Sequence, residues 1–211
     1  MPQHTHHHFR RLDIAREALD LGARRSVVQQ ITGISEAELR RVFGACPALT
    51  TNRGGRPSSV DKLFQGREIH LHASDFYSGF HHLFHRGVPP DESMVVAYRR
   101  YLGRHPDDVR LGFDRAFSVV TSVCRLWTST APLLKPVRCN ICDALFLAPV
   151  GASAADETPC TYCKVARRLN RRARVGLGRE SNSAMESADT YFGNLSGAAA
   201  SLNGATAVPA H

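Results

Sequence analysis

Cys139-Asn-Ile-Cys142 and Cys160-Thr-Tyr-Cys163 are two C-x-x-C knuckles separated by seventeen residues. In a tetrahedral four-thiolate site each knuckle supplies two sulfurs, and the loop between them carries the second pair across. The spacing lies within the range that reads as a structural zinc site. The competing reading is two disulfides or unrelated thiols. A bound metal holds such knuckles together without a large apolar core, because metal binding is itself folding free energy, on the order of ten kcal/mol in small zinc modules. One Zn2+ per chain on Cys139, Cys142, Cys160 and Cys163 is therefore the expected cofactor. Directly after Cys163 runs Lys164-Val-Ala-Arg-Arg-Leu-Asn-Arg-Arg-Ala-Arg174, with six positive charges and no acid. Five of the six are arginine, whose planar fork suits phosphate and guanine. Lys164, Arg167, Arg168, Arg171, Arg172 and Arg174 are thus the first candidates for nucleic-acid contact; a solvated basic surface is the bland alternative.

The whole chain has 211 residues and a net charge of +8. That size supports one core and a small satellite module. The charge implies an anionic partner, and nucleic acid is preferred over a membrane because no apolar run approaches the roughly eighteen residues of a membrane span. Met1-Pro-Gln-His-Thr-His-His-His-Phe9 has no signal-peptide core, which points to the cytoplasm. Cysteines there are reduced or metal-bound. Cys46 and Cys124 lie outside the knuckle pattern and read as ordinary residues of the fold.

Upstream, the chain reads as helical. Residues 1–9 are expected to be a disordered His-rich lead-in. Residues 10–130 form the expected all-helical domain. Leu12, Ala15, Ala18, Leu19 and Ala23 recur at helical spacing, with Gly22 as a stop. Segment 24–43 reads as helix, tight turn, helix. Val27, Val28 and Ile31 give an apolar edge, and Gly33 supplies the turn. Ser35 and Glu38 form an S-x-x-E capping box, and Leu39, Val42 and Phe43 give the second helix its inner face. That shape suits a DNA-binding helix-turn-helix, with Arg40 and Arg41 off the inner face as candidate DNA contacts. An ordinary helical hairpin is the alternative. Arg53 and Arg56 sit in a Gly- and Pro-rich loop like arms that enter a minor groove, and they join the candidates; a flexible linker is the competing reading.

Three longer helices follow. The first carries Phe76, Phe80, Leu83 and Phe84. The second is capped by Asp91 and carries Met94, Val95, Tyr98, Tyr101 and Leu102. The third is expected to start at Pro106-Asp107-Asp108 and to run through Phe117 towards Trp127. Their aromatic content marks the main core or a partner-binding face. His70, His72, His81, His82 and His85 invite a metal or catalytic reading. No acid separates His81 from His85 as H-E-x-x-H requires, and nucleophile elbow, P-loop and dinucleotide fingerprint are all absent. Helix-face and packing histidines, and no enzyme, are the expectation. Residues 131–175 form the expected zinc module with its basic arm, and the Gly/Ser/Ala-rich stretch 176–211 a disordered tail.

These landmarks occur in a particular order. Leu21-Gly-Ala-Arg24 closes the first helix. Then come the helix-turn-helix, His72-Ala-Ser, Ala97-Tyr-Arg-Arg-Tyr-Leu102, Arg115-Ala-Phe with Trp127, and the two knuckles with their basic run. The order resembles the FlhC family, the zinc-containing subunit of the FlhDC master activator of bacterial flagellar genes, over roughly Leu12 to Arg174. The resemblance implies an FlhD-like partner in a hetero-oligomer, binding to promoter DNA, recruitment of RNA polymerase, and zinc on the four knuckle cysteines. The alternative function is a zinc-ribbon module that binds RNA or an acidic protein.

Overall fold

The computed structural model describes residues 2–44, 66–128, 131–152 and 159–171. Helices α1 (Pro2–Asp20), α2 (Arg25–Thr32), α3 (Glu36–Phe43), α4 (Arg67–Phe84), α5 (Pro90–Arg104) and α6 (Phe113–Cys124) precede strands β1 (Leu134–Arg138) and β2 (Leu145–Pro149). A last helix, α7, covers 161–171. Two compact units divide the chain, Met1–Cys163 and Lys164–His211. Among the described residues, no helix is long and apolar enough to cross a membrane.

Helix α1 begins earlier than its periodicity suggested. Residues 2–9, expected to be a disordered lead-in, are its first turns. Pro2 suits a first helical turn, where its missing N–H costs nothing, and no glycine interrupts the chain before Gly22. His8 reaches Glu38 of α3 at 3.3 Å, which gives the extension a tertiary anchor. The helix stops where Gly22 takes φ 86°. There Gly22 N–H donates to Leu19 O and Ala23 N–H to Ala18 O, the paired bonds of a Schellman end.

The α2–turn–α3 hairpin forms as its sequence implies, except that Val42, expected on the inner face, is exposed, leaving Leu39 buried and Phe43 half-buried there. Gly33 takes φ 66° at the turn, and Ser35 Oγ accepts from the Glu38 N–H at 3.3 Å. The Glu38 carboxylate does not close the box; it faces His8 and Arg41 instead. Val28, Ile31, Ile34 and Leu39 are buried in the common core with Ala15, Ala18 and Leu19 of α1.

Helices α4 and α5 carry the aromatic centre, with Phe76, Phe80, Tyr98 and Tyr101 buried. Tyr101 fixes the segment that follows. Its hydroxyl accepts from the N–H groups of Arg110 at 3.2 Å and Leu111 at 3.1 Å, so its proton goes to His72 Nδ1 at 2.9 Å. Tyr98 donates its hydroxyl to Leu111 O at 3.0 Å. These bonds correct the expected helix start at Pro106. Leu111 is fully buried with both backbone groups held by tyrosines, so residues 105–112 stay non-helical and α6 begins at Phe113. Asp91 likewise lies in the first turn of α5, with Pro89 at the cap and Pro90 at the start.

β1 and β2 pair antiparallel, with Pro136 opposite Leu147. Successive strand residues face opposite ways. Leu147 belongs to the helical core, while Phe146 and Ala148 pack with Cys139, Cys160 and Cys163. β2 is therefore buried on both faces, between helices and cysteines. Leu147 directs its backbone away from β1: its N–H donates to Ser74 Oγ at 3.1 Å, and its carbonyl accepts from His70 Nε2 at 2.6 Å. Pro136, opposite it, thus occupies a pair that exchanges no ladder bonds, where a missing N–H is harmless.

Candidate metal centre

The four knuckle cysteines converge. Their sulfurs all lie within 4.8 Å of one another, and among the described residues this is the only grouping of three or more side chains able to hold a metal ion. Cys139 Sγ is 3.9 Å from Cys163 Sγ, and Cys142 Sγ is 3.6 Å from Cys160 Sγ. A disulfide would bring sulfurs to about 2.05 Å; all four are free thiols. Tetrahedral zinc, with Zn–S near 2.3 Å, sets sulfurs about 3.8 Å apart. The observed spacings bracket that value, so the donor set fits the ion.

Local structure explains the convergence. The β1–β2 turn holds the first knuckle: Asp143 N–H donates to Cys139 O at 2.9 Å, and Cys139 N–H to Ala144 O at 3.0 Å. Asp143 takes φ 56°, a conformation that aspartate tolerates better than most residues. The amide of Ile141 donates to Cys139 Sγ at 3.4 Å. Cys160 immediately precedes α7, and its Sγ accepts from the Cys163 N–H at 3.4 Å, as a helix-capping side chain does. A helix N-terminus also favours thiolate charge.

Electrostatics make the cluster asymmetric. Burial raises the Cys139 thiol, but backbone N–H groups led by that of Ile141 outweigh it and hold the thiol down at about 6. Burial pushes Cys160 up to about 12. Neighbouring thiols, Cys142 first, also push Cys163 up. A cation is what lets four adjacent sulfurs carry charge together.

His70 and Ser74, one turn apart on α4, hold the cluster to the helical core. Since a carbonyl only accepts, His70 Nε2 carries the proton given to Leu147 O. Its Nδ1 then accepts from the hydroxyl of Thr161, the residue between Cys160 and Tyr162, at 3.0 Å. The sequence shows His70 only as one more helix-face histidine, and Ser74 only as the end of the His72-Ala-Ser landmark. Their i, i+4 spacing was visible, but the strand edge they serve was not.

Among the described residues, the other histidines do not assemble a second centre. His72 is buried against Tyr101 and His105. His81 and His85 lie with ring centres 4.0 Å apart and their planes tilted by 42°. Burial first, then His85, Arg138 and His82, holds His81 below the ordinary histidine range. Cys124 is a half-buried thiol beside the Tyr77 hydroxyl at 3.5 Å.

The candidate nucleic-acid contacts fall into three groups. Lys164, Arg167, Arg168 and Arg171 are exposed on α7 at i, i+3, i+4 and i+7, which is one face of a helix. Arg40 and Arg41 are exposed on α3, but they pair with Glu36 at 2.6 Å and Glu38 at 3.7 Å. Arg53, Arg56, Arg172 and Arg174, like Cys46 and the tail 176–211, lie outside the described residues.

Comparison with known proteins assigns the family. The model described as "Flagellar transcriptional activator (FlhC)" matches residues 4–175. The flagellar transcriptional regulator FlhC of Sodalis glossinidius (strain morsitans) is 29% identical over 143 residues, covering 65% of this chain and 69% of that protein. The regulator of the same name from Pectobacterium carotovorum is 25% identical over 168 residues, covering 78% and 83%. That from Xenorhabdus nematophila is 29% identical over 142 residues, covering 64% and 70%. With a four-cysteine cluster on a helical scaffold and a family match across most of its length, this chain belongs to the FlhC family of flagellar transcriptional activators.

Proposed function

We propose that this activator is a zinc-dependent DNA-binding subunit with no enzymatic step, acting in the cytoplasm with an FlhD-like partner at promoters where it helps recruit RNA polymerase. Cys139, Cys142, Cys160 and Cys163 would hold one Zn2+, and the ion's contribution is to neutralise and crosslink the four thiolates. The observation that carries the reading is the cluster itself: four free sulfurs within 4.8 Å of one another, two pairs of them at 3.6 and 3.9 Å. The helix that contains Cys163 continues as the cationic face of Lys164, Arg167, Arg168 and Arg171, with Arg172 and Arg174 just beyond. Each phosphate contact by such a side chain releases counterions, so affinity falls steeply with salt. Arg40 and Arg41, both held by glutamates of their own helix, are secondary contacts, as are Arg53 and Arg56.

The experiment is a mobility-shift assay with the co-expressed FlhD-like complex, comparing promoter duplex with structured RNA. The reading expects duplex binding that weakens steeply with salt and disappears in Cys139→Ser. Preference for RNA, or for an acidic protein, would replace it with the alternative of a zinc-ribbon interaction module. Normal duplex binding by metal-free protein would remove zinc from the function.

A further inference from the structure

The four sulfurs differ in their access to solvent. Cys139, Cys160 and Cys163 are 2%, 0% and 9% exposed, whereas Cys142 is open to solvent. Cys142 ends the first knuckle, where Asn140, Ile141 and Asp143 are exposed as well. It therefore sits on a projecting tip and not in a packed wall. Its sulfur lies 3.6 Å from that of Cys160, while the buried pair Cys139 and Cys163 stands at 3.9 Å. Closing a disulfide between Cys142 and Cys160 needs an approach of about 1.5 Å, made by the half of the pair that faces solvent.

We propose that Cys142 is an oxidative modification site, with Cys160 as its resolving partner. The inference rests on the zinc reading above. The oxidant is a hydroperoxide, with hydrogen peroxide as the simplest case. The Cys142 thiolate attacks one peroxide oxygen, the O–O bond breaks, and hydroxide leaves. Sulfur is oxidised by two electrons to the sulfenic acid, and the peroxide is reduced. The Cys160 thiolate then attacks the Cys142 sulfur. The S–O bond breaks, a second hydroxide leaves, and the disulfide forms. Two thiolates and one peroxide become one disulfide and two hydroxides. Only Cys139 and Cys163 remain as ligands, so the ion is released. A dithiol reductant reverses the change and permits reloading.

The test uses the full-length chain in complex with its FlhD-like partner, with zinc counted first. An absence of zinc at that stage overturns the metal reading, and the proposal with it. Zinc present but unresponsive to peroxide overturns the proposal alone. With zinc present, hydrogen peroxide is added, released zinc is followed with a chromogenic chelator, and disulfides are mapped by mass spectrometry without reduction. The expected result is one zinc released per disulfide formed, with the first disulfide at Cys142–Cys160 and zinc uptake restored after reduction. In Cys142→His the imidazole retains a tetrahedral site, and zinc release should be at least about ten-fold slower once the accessible thiolate is gone. A first disulfide at Cys139–Cys163 or involving Cys124 would overturn the proposal, as would equal release from Cys142→His. The mapping in the unaltered chain decides the matter even if the variant does not fold.

Discussion

His70 Nε2 lies 2.6 Å from the carbonyl oxygen of Leu147, and this bond joins the main helical core to the strand that backs the cysteine cluster. The same ring accepts from Thr161, next to Cys160. One imidazole therefore ties α4, β2 and the start of α7 together. His70→Ala leaves a part-buried carbonyl and a hydroxyl without these bonds. Such losses cost about 2 kcal/mol. Urea unfolding of the zinc-loaded chain should show that loss, with faster amide exchange at Leu147 and Thr161. An unchanged midpoint would mean that the hairpin is held by packing alone.

Tyr101→Phe removes a single oxygen that serves three partners: the Arg110 and Leu111 amides and His72. Leu111 is completely buried, so water does not replace the bond. The expected cost is about 3 kcal/mol in a denaturation midpoint. The loss should concentrate in residues 105–112, the segment whose non-helical path the hydroxyl dictates.

Acid should weaken the helical core through His72. Burial first, then His105, lowers its pKa, Asp108 and Asp75 raise it, and Arg110 lowers it; the net shift is downward. The unfolded ring takes up a proton near pH 6.5 and the folded ring resists it. Stability is therefore complete above that value and is lost as pH falls towards the lower folded pKa. His72→Gln should flatten the dependence of the unfolding midpoint between about pH 7.5 and 5.5. Both proteins keep the same cysteines, so acid loss of metal affects them alike. Parallel curves would contradict the assignment.

Much of this was legible in the sequence. The knuckle spacing pointed to the cluster, and Gly33 with Ser35 marked the α2–α3 turn. What escaped was tertiary. Glycine and proline positions suggest where a helix can stop, but nothing local says that two tyrosine hydroxyls will keep residues 105–112 out of a helix. The His-rich start looked unscaffolded because Glu38, which His8 meets, is thirty residues away. His70 looked like any helix-face histidine until a strand edge stood beside it. Arg40 and Arg41 read in the sequence as candidate DNA contacts off the inner face, but both pair with acids within α3.

That last observation separates the arginines by experiment. Replacing Arg167, Arg168 or Arg171 by Ala should weaken promoter binding by the complex and lower the salt slope by about one for each phosphate no longer engaged. Arg40→Ala and Arg41→Ala should have smaller effects, since each cation is already partly neutralised on its own helix. Binding titrations at several salt concentrations provide the check. Equal slopes for the α7 variants and the unaltered protein would remove that helix from the interface.

Metal counting on the purified full-length complex bears most directly on the four cysteines as the centre of the molecule. Elemental analysis should return one zinc per FlhC-type chain, and Cys160→Ser should lose both the zinc and the protection of β2 and α7 against amide exchange. A complex without zinc that keeps that protection would contradict the account.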